Sequence, residues 1–587
     1  MTRIAIHMSG RWDGAADAAL SGIESVFFAP GTAPGPARHA WSELPLTPAG
    51  LERTICNQLT SGVCRSTTGN MDGILECFVN DYYSYTLRPA MGLLSGICAA
   101  ISELEATEVV IVTARSTGRG LPMYGFQTTE SKRGSAHLLG ARVAEVLPEV
   151  FPRVQFKFHY VRGDLLCSEP LRRLVLSAAN LVFSGAFILR CLWPGGYRLG
   201  GEPSAFRGVL ALVRTEHQAR FARALMEGRD GVRALVLPQI TQGSIRTDLR
   251  LRRSITEVVP LYPVVFRVMP RVARGLIRDL QGLRSISQRR EFITVAISSA
   301  SVKIGVHDIA SELRLASATL LYRQLLSQIL DSVRPERLVN FELVGRMAGL
   351  EASAARSRAV ETMSIQTATI SAVPHPVFPH SDWFFTDSMT TCQLIAGNGS
   401  LARGRVVYHG PPYRINAIKA PRQVRTLAYF TQPYEAPTST EILRALGVWA
   451  RRSGAVVRVR LHPRDTICSY RAVLDDFGDV MQIASEASVS DSIGESDVCV
   501  TRTSSVAKEA IALGRPVLLC LWTAMDHGMV ADYIAPDLVS QYCASSDLEV
   551  WDRLSRPEDL AAAAECLQLR MYQGKESHDL AASVFRQ

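Results

Sequence analysis

The sequence has little of what marks zinc-binding, redox-active or disulfide-stapled proteins. It contains 12 cysteines among 587 residues, but no two of them have Cys-x-x-Cys spacing and no histidine cluster accompanies them. Several, such as Cys98, Cys499 and Cys520, stand inside apolar runs, where a cysteine usually behaves as a small hydrophobic residue. The cysteines are therefore expected to be reduced and buried, which is typical of a cytoplasmic protein.

Long apolar segments, dense basic runs and a signal peptide are also missing. The uncharged stretch from Leu174 to Leu189 has sixteen residues, fewer than the roughly twenty that span a bilayer. We expect it to form a buried core helix, with docking on a membrane surface as the alternative. No Lys/Arg run is interleaved with aromatic residues, so nucleic acid is not an expected partner. The first residues are typical of a strand, so the expected location is the cytoplasm, with peripheral contact at the inner membrane as an alternative.

The size and charge of the chain limit what remains. A single hydrophobic core rarely grows beyond about 250–300 residues, so about three domains are expected. The composition, 47% hydrophobic and 20% charged, is typical of globular proteins with large cores. The formal net charge of +9 favours anionic partners, such as nucleotides, acidic glycans or the inner face of a membrane.

Short β-branched runs alternate with helical patterns along the chain, which predicts an α/β fold. Glu108–Thr113 and Val154–Tyr160 are predicted strands of an N-terminal region, and Gly208–Val213 opens a second series of strands. We expect three regions: 1–200 as an N-terminal α/β region, 201–410 as a Rossmann-like domain, and 411–587 as a second Rossmann-like domain with C-terminal helices.

Two strand–turn units in the last third carry the most informative pattern. The first runs from Ala455 to Pro463 and ends in His462-Pro463. The second runs from Ser496 to Val506, where a β-branched strand breaks into Arg502-Thr503-Ser504-Ser505 before a helical pattern. Open α/β sheets bind ligands at the carboxyl ends of parallel strands, so we expect the two turns to form one binding site.

The residues of these turns suit a ligand that carries a phosphate. A helix that opens with Thr503-Ser504-Ser505 offers backbone N–H groups, hydroxyls and the positive end of its dipole. His462 and Arg464 can add donors or charge from the neighbouring loop, and Glu509, one turn into the helix, can accept ribose hydroxyls. The alternative is purely structural, with His462 capping a strand and the serines capping the helix.

The ordered pair His462-Pro463 and Ser504-Ser505 resembles the nucleotide-binding half of GT-B glycosyltransferases of bacterial surface polysaccharides. Sialyl-, polysialyl- and Kdo transferases carry such a pair, and teichoic-acid glycerophosphotransferases carry a similar one. The resemblance covers roughly residues 205–540. It implies a GT-B-like pair of Rossmann-type domains facing a cleft, with the N-terminal α/β region in addition. It also implies transfer of sialic acid, Kdo or a related acidic sugar from a CMP-activated donor to a glycan or glycolipid acceptor.

The first half of the resemblance is weaker. Where the polysaccharide enzymes often have Gln-His-Gly, this chain has Gln366-Thr367-Ala368. Glu342, at the end of the predicted strand Arg337–Phe341, is the first candidate for the base that activates an acceptor hydroxyl, with Asp387 and His375 as rivals. Structural alternatives are a charge at a helix start for Glu342, a helix cap for Asp387 and an exposed Pro-rich loop for His375.

Further roles follow for the charged residues of the second half. His462 and the serine hydroxyls are expected to stabilise the leaving phosphate, and a protonated His462 can act as a general acid toward it. Arg502 either pairs with a donor carboxylate or bridges to Glu495 or Asp497. Lys508 is expected on the solvated face of its helix. No Asp-x-Asp follows a predicted strand, so neither a metal nor another cofactor is expected.

Two further classes of function stay open at this stage. A closely related enzyme would be a CDP-glycerol-type phosphotransferase or a GT-B enzyme with a UDP-sugar donor. A different class would be a non-catalytic scaffold of a polysaccharide assembly complex, because the Gln-His-Gly run is replaced and the N-terminal region is large.

Overall fold

The structure of the protein is a computed structural model that describes most of the chain. The described residues are 2–7, 20–21, 23, 25–28, 40–43, 53–58, 79–80, 83, 88–114, 147–161, 169–197, 206–227, 230–240, 244–288, 292–297, 300–305, 317–342, 346–370, 374–401, 404–411, 414–432, 436–462, 465–484, 488–523, 526, 530, 532–572 and 584–585.

The strands and the principal helices alternate along the chain. The strands are β1 (Arg3–His7), β2 (Ser25–Phe28), β3 (Ala40–Glu43), β4 (Glu108–Ala114), β5 (Gln155–Val161), β6 (Val209–Val213), β7 (Val232–Val236), β8 (Phe292–Ile297), β9 (Ala300–Gly305), β10 (Arg337–Asn340), β11 (Glu361–Ile365), β12 (His375–Val377), β13 (Trp383–Thr386), β14 (Gly399–Leu401), β15 (Arg405–Tyr408), β16 (Thr426–Phe430), β17 (Val456–Arg460), β18 (Met481–Ile483), β19 (Val498–Thr501), β20 (Val517–Cys520) and β21 (Cys543–Ala544). The helices are α1 (Arg88–Glu103), α2 (Glu169–Leu192), α3 (Glu216–Met226), α4 (Ile245–Ser254), α5 (Leu261–Gln288), α6 (Ser317–Val333), α7 (Arg346–Arg356), α8 (Met389–Asn398), α9 (Ala436–Ser453), α10 (Arg471–Asp476), α11 (Val489–Gly494), α12 (Val506–Ala512), α13 (Val539–Tyr542), α14 (Asp547–Leu554) and α15 (Pro557–Tyr572).

The N-terminal part of the chain forms the first sheet. Its five strands are all parallel and lie in the order β3-β2-β1-β4-β5. Counted along the chain, this is 3-2-1-4-5, the doubly wound arrangement of Rossmann-type sheets. Ala5, Val26 and Val110 are among the residues that form its buried core. β4 and β5 coincide, within one residue at each end, with the strands predicted for this region.

The second sheet has six parallel strands in the order β15-β13-β11-β10-β6-β7. Its interior strand β6 is buried at every residue, as expected for a parallel strand that helices cover on both faces. On one face the helices α2, α5 and α6 share a core with the strands and pack against one another. On the other face α3 and α4 cover the strands.

The third sheet also has six parallel strands, in the order β18-β17-β16-β19-β20-β21. In chain order this is 3-2-1-4-5-6, the Rossmann arrangement. After α15 the chain returns to the second sheet, where Val584 is fully buried and its carbonyl accepts from Arg337 Nη1 at 3.0 Å.

The second and third sheets meet at the carboxyl ends of their strands. Gln366, which follows β11, donates from Nε2 to Asp532 Oδ2 at 3.1 Å, and Thr390 Oγ1 donates to the Asp532 carbonyl at 2.7 Å. Lys508 of α12 reaches Asp387, which follows β13. The expected α/β class, with two Rossmann-type domains facing each other and an additional N-terminal α/β region, is therefore confirmed.

Helix α2 differs from its prediction as a buried core helix. Phe187 and Cys191 are buried in the core that covers the second sheet, but Leu181 on the opposite face is 75% exposed. Sequence alone could not distinguish the two faces, because both are apolar. No helix among the described residues is long and apolar enough to cross a membrane. Although α2 precedes residue 200, it packs with the second sheet, and the division at residues 200 and 410 stays a proposal.

Candidate functional site

The carboxyl ends of three neighbouring strands lie together at one edge of the third sheet. β16 lies between β17 and β19, and its last residue, Phe430, pairs with Arg460 on one side and Thr501 on the other. The turns that follow begin within a residue or two of these positions. The His462 turn and the Thr503 turn therefore flank the turn that follows β16.

Hydrogen bonds through the β16 turn connect the two motif turns. The His462 N–H donates to Thr431 Oγ1 at 2.8 Å, and Thr503 Oγ1 donates to Gln432 Oε1 at 3.4 Å. The carbonyl of His462 accepts from the Asp465 N–H at 2.8 Å. The backbone of the histidine turn is thus held on both sides, and the two motif turns share one edge of the sheet.

The structure describes only the first part of the histidine motif. His462 is half-buried beside the β16 turn, so its ring is partly accessible from the edge. Pro463 and Arg464 lie outside the described residues, and their expected contacts stay predictions.

The hydroxyl turn precedes a short helix, α12, which begins at Val506 rather than at Thr503 as predicted. Thr503 is buried, while Ser504 and Ser505 are half-buried. Ser504 Oγ accepts from the Val506 N–H at 3.3 Å, so this serine has a capping contact. Ser505 stands at the N-cap position without a side-chain capping bond. One serine therefore fits the structural alternative, and the other hydroxyl is not used in capping.

Arg502 is buried rather than exposed at the edge. Its side chain is fully buried, and Nη2 forms an ion pair with Asp526 Oδ1 at 2.8 Å. Neither alternative from the sequence describes this contact. Glu495 pairs with Arg458, and Asp497 accepts from the backbone N–H groups of residues 425 and 426. Because the guanidinium is enclosed with its own acid, it has no open path to a donor carboxylate.

Glu509 is buried on the side of α12 that faces α11. Its Oε1 accepts from Ser490 Oγ at 2.7 Å. A ribose hydroxyl would have to approach the same carboxylate, so Ser490 is a neighbour that sequence reasoning did not identify. The role of Glu509 in ribose binding stays a prediction.

The prediction that Lys508 is solvated is wrong. Lys508 Nζ lies 3.0 Å from Asp387 Oδ1 and 2.5 Å from Asp532 Oδ2, and it also donates to Thr391 Oγ1 at 3.4 Å. Burial lowers the pKa of a lysine, but the two carboxylates outweigh that effect and the pKa of Lys508 is raised. We name Lys508, Asp387 and Asp532 the lysine cluster; it joins the two facing sheets.

Asp387, one of the candidate bases, belongs to this cluster. Burial, and then the negative charge of Asp532, raise the pKa of Asp387 more than Lys508 lowers it. Its N–H donates to Gln366 Oε1 at 3.2 Å, so the expected helix cap is not its main contact. Ser388, the next residue, is the N-cap of α8 and accepts from the Thr391 N–H at 3.3 Å.

Glu342 stands at the carboxyl edge of the second sheet, as predicted, but its neighbours were not predicted. Its Oε1 accepts from Arg214 Nη2 at 2.8 Å, and its side chain is 36% exposed. Arg214 is buried and donates to two further residues, the Glu351 carboxylate and Tyr322 Oη, the latter at 3.1 Å. Tyr322 Oη donates in turn to Glu351 Oε1 at 2.6 Å. Glu342 is therefore the partly exposed end of a buried polar network.

The residues of this network shift one another's pKa values. Burial raises the pKa of Glu351, although Arg214 and the hydroxyl of Tyr322 oppose the shift. Burial lowers the pKa of an arginine, but the two glutamates and Tyr322 raise the pKa of Arg214 above its usual range. Arg214 directly follows β6, and that position was the only sequence signal for the network.

His375 is not in an exposed loop. It begins β12, which pairs in parallel with β14, and the ring is buried against Phe378 with centroids 6.0 Å apart. The prolines on both sides were expected to prevent regular structure, but a short strand of three residues accommodates Pro376 at its centre. A buried imidazole of this kind has little access to an acceptor, which removes the main reason to consider His375 as a base.

A cavity of about 770 Å³ lies beside the site rather than in it. It is bounded by α8, by the segment 533–536 and by α15, and it touches the lysine cluster only through neighbours such as Thr390 and Tyr533. Neither His462 nor the hydroxyl turn lines it.

Comparison with known proteins gives distant structural similarity only. The sequence matches no known family and no curated protein. A UDP-GlcNAc 2-epimerase from Neisseria meningitidis is 9% identical, with a TM-score of 0.40, over 65% of this chain and 99% of its own. A glycosyltransferase from Rickettsia africae is 8% identical, with a TM-score of 0.37, over 62% and 93%. The wall teichoic acid polymerase TagF is 10% identical, with a TM-score of 0.37, over 70% and 95%. At these low values, the functional argument rests on the chain's own residues.

Proposed function

We propose that the protein is a GT-B glycosyltransferase that moves a sugar from a nucleotide-activated donor to a glycan or glycolipid acceptor. The observation that carries the proposal is the common edge of the histidine and hydroxyl turns, joined through Thr431 and Gln432. Ligands of open α/β sheets bind outside the carboxyl ends of the strands, which is where these turns lie. Opposite them, the second sheet presents a partly exposed acid, Glu342.

In this reaction the leaving phosphate gains negative charge as the glycosidic bond breaks. Donors that are already in place stabilise that charge in the transition state. The imidazole of His462 and the hydroxyls of Ser504 and Ser505 are the groups we assign to this task. A protonated His462 can also transfer its proton to the phosphate oxygen.

The acceptor hydroxyl must lose a proton to a base on the facing sheet. We assign this role to Glu342, because its side chain is more accessible than that of Asp387 and is not enclosed by a lysine. Arg214 orients Glu342 by holding Oε1. The hydroxyl proton passes to the carboxylate, and the hydroxyl oxygen attacks the anomeric carbon.

CMP-linked acidic sugars remain the proposed donors, but Arg502 is not their carboxylate partner. A guanidinium paired with Asp526 inside the core cannot reach a ligand without breaking that pair. Recognition of an acidic sugar would then fall to Arg464 or to residues of the facing sheet.

The nucleotide preference can be tested directly by thermal shift with CMP, CDP, UDP and GDP. A ligand at 100 times its Kd stabilises the folded state by about 2.7 kcal/mol. We expect the largest shift with CMP, its loss in His462→Ala, and no loss in His217→Ala, an exposed histidine of α3. Turnover should then appear with the sugar donor of the preferred nucleotide.

The other outcomes separate the alternative functions. A preference for UDP would favour a UDP-sugar enzyme, and a preference for CDP with turnover of CDP-glycerol would favour a phosphotransferase. If no nucleotide shifts the transition, the transferase proposal fails and a scaffold of a polysaccharide assembly complex becomes the better interpretation. We propose the cytoplasm as the location in either case.

A further inference from the structure

Helix α2 presents an apolar face to the outside of the protein. Leu174, Leu181, Val182 and Leu189 are all exposed, and Trp193 follows just after the helix. Leu174, Leu181 and Leu189 follow one another at intervals of about two helical turns, and Val182 adjoins Leu181, so all four lie on one side of α2. No charged residue interrupts the stretch that contains them.

The opposite side of α2 is firmly packed. Phe187 and Cys191 are fully buried in the core that covers the second sheet. Near the C-terminal end, Arg190 forms two hydrogen bonds of 2.7 Å with the carboxylate of Asp248. The exposed face therefore belongs to a fixed helix, and its exposure is a property of the folded protein.

Helix α5 packs beside α2 and carries exposed aromatic residues and positive charge. Phe266 is 80% exposed, and Tyr262 and Ile277 are exposed as well. The only acidic residue of α5, Asp279, is buried and accepts from Gln324 Nε2 at 2.7 Å. The exposed arginines of α5 are Arg267, Arg271, Arg274, Arg278 and Arg284.

We propose that this surface, the exposed residues of α2 and α5, binds a lipid bilayer that carries anionic headgroups. An interfacial helix inserts apolar side chains below the headgroups and keeps arginines at their level. Each basic residue near an anionic leaflet adds to the attraction between the protein and the membrane. The α2–α5 surface has both properties, and the net charge of the whole chain, +9, acts in the same direction.

A second copy of the chain fits this surface less well. A two-fold dimer places the same patch on both partners, so the arginines of one α5 would face those of the other. Like charges brought together in this way oppose association. Anionic lipid neutralises the same arginines while it covers the same apolar side chains.

The C-terminal end of α2 is connected by hydrogen bonds to the candidate active site. Arg190, in the last turn of α2, donates from Nη1 to the Gln239 carbonyl at 2.8 Å. Gln239 Nε2 in turn donates to the Arg214 carbonyl at 3.5 Å, and Arg214 holds Glu342. If the proposed transferase activity holds, these contacts connect the end of a membrane-docked helix to the network that holds the proposed acceptor base.

Flotation of the full chain with vesicles, without any nucleotide, tests the proposal. We expect binding to phosphatidylcholine–phosphatidylglycerol vesicles and at least tenfold weaker binding to phosphatidylcholine alone. Leu181→Glu and Arg271→Glu should each lower the partition coefficient about tenfold. Leu548→Glu is the matched control for the apolar change, because Leu548 is 78% exposed on α14, and Arg220→Glu on α3 is the control for charge reversal.

Several outcomes would overturn the proposal. One is failure of the wild-type chain to float with anionic vesicles, and another is equal loss of binding in the controls. A third is a dimer that Leu181→Glu converts to a monomer in light scattering while lipid binding stays unchanged, which would assign the surface to a second copy. The nucleotide thermal shift, measured on the same variants, should be unchanged, so failure of lipid binding is separable from failure of the transferase proposal.

Discussion

Arg214 and Arg502 occupy corresponding places in two sheets and differ in what they do with their charge. Each directly follows a buried interior strand, β6 in the second sheet and β19 in the third, and each is buried. Arg502 is enclosed with Asp526, so that neither charge reaches the edge. Arg214 also has a buried acid, Glu351, but it extends one hydrogen bond to Glu342 at the surface.

The difference comes from where the partner acids stand. Asp526 follows β20, next to β19, and is fully buried together with the guanidinium. Glu342 follows β10, next to β6, but remains partly exposed and can meet a ligand. An arginine that follows a strand does not by itself indicate a ligand contact. The position of its acidic partner determines whether the ion pair is buried or reaches the edge of the sheet. Arg502 therefore adds no charge to the edge of the third sheet, whereas Arg214 holds an acid at the edge of the second sheet.

The largest loss of folding stability is expected at Lys508, the buried cation between the second and third sheets. Lys508→Met leaves Asp387 and Asp532 facing each other without a counter-charge. Breaking a buried ion pair costs about 3–5 kcal/mol. Because two carboxylates lose their counter-charge here, we expect a loss at the upper end of that range. Chemical unfolding followed by tryptophan fluorescence measures the loss, and Lys419→Met, at an exposed lysine, should change the free energy of unfolding by less than about 0.5 kcal/mol. A loss below about 1 kcal/mol for Lys508→Met would mean that the cluster is open to water.

Substitutions in the Arg502–Asp526 pair test whether Arg502 only stabilises the fold or also contacts the nucleotide. Arg502→Leu should destabilise the protein by about 3–5 kcal/mol, and the double change with Asp526→Leu should recover most of that loss, because no charge is then left unpaired. Nucleotide thermal shifts should survive in the double variant. If the double variant folds and loses nucleotide binding as His462→Ala does, Arg502 contacts the ligand after all.

The exposed end of the Arg214 network is expected to affect turnover rather than folding. Glu342→Gln keeps the shape of the side chain but removes the base, so kcat should fall about 100-fold or more while the KM for the donor changes little. Glu336→Gln, at an exposed acid near the opposite end of β10, is the matched control and should retain wild-type kcat. Equal activity in the two variants would move the base to another residue.

The smallest change in folding stability is expected for a substitution at Asp387, and this change should depend on pH. Because the pKa of Asp387 is raised on folding, its contribution to stability is present at low pH and is lost as pH rises through the folded-state value. Asp387→Asn should therefore change stability by less than about 1 kcal/mol near neutrality. The free energy of unfolding of the wild type, relative to this variant, should increase as pH falls from neutrality toward the ordinary aspartate pKa of roughly 3.9. An opposite slope would show that Lys508 dominates the titration.

The sheets and the edge positions could be predicted from sequence because both depend on local patterns. β-branched runs followed by polar turns mark strand ends, and parallel strands bring those ends to one edge. The pattern therefore predicted strand ends near His462, Ser504 and Glu342, and the structure has a strand ending shortly before each of them. Their functional roles stay predictions.

The partners of the charged residues could not be predicted in the same way. Lys508 lies 121 residues from Asp387, and Arg214 lies 128 residues from Glu342 and 137 from Glu351. No local spacing connects such residues, and each looked like an ordinary surface charge or turn. The prediction that α2 is a buried core helix was wrong for a similar reason. An apolar face is expected to avoid water, but the sequence does not say what covers it.

The return of the chain to the second sheet has a mechanical consequence. With Val584 anchored beside β10, the polypeptide crosses between the two halves twice, once before β16 and once after α15. Two covalent crossings restrict how far the halves can separate and favour a hinge-like opening over free movement. They also mean that removing only the last few residues would loosen the half that carries Glu342, far along the chain from the deletion.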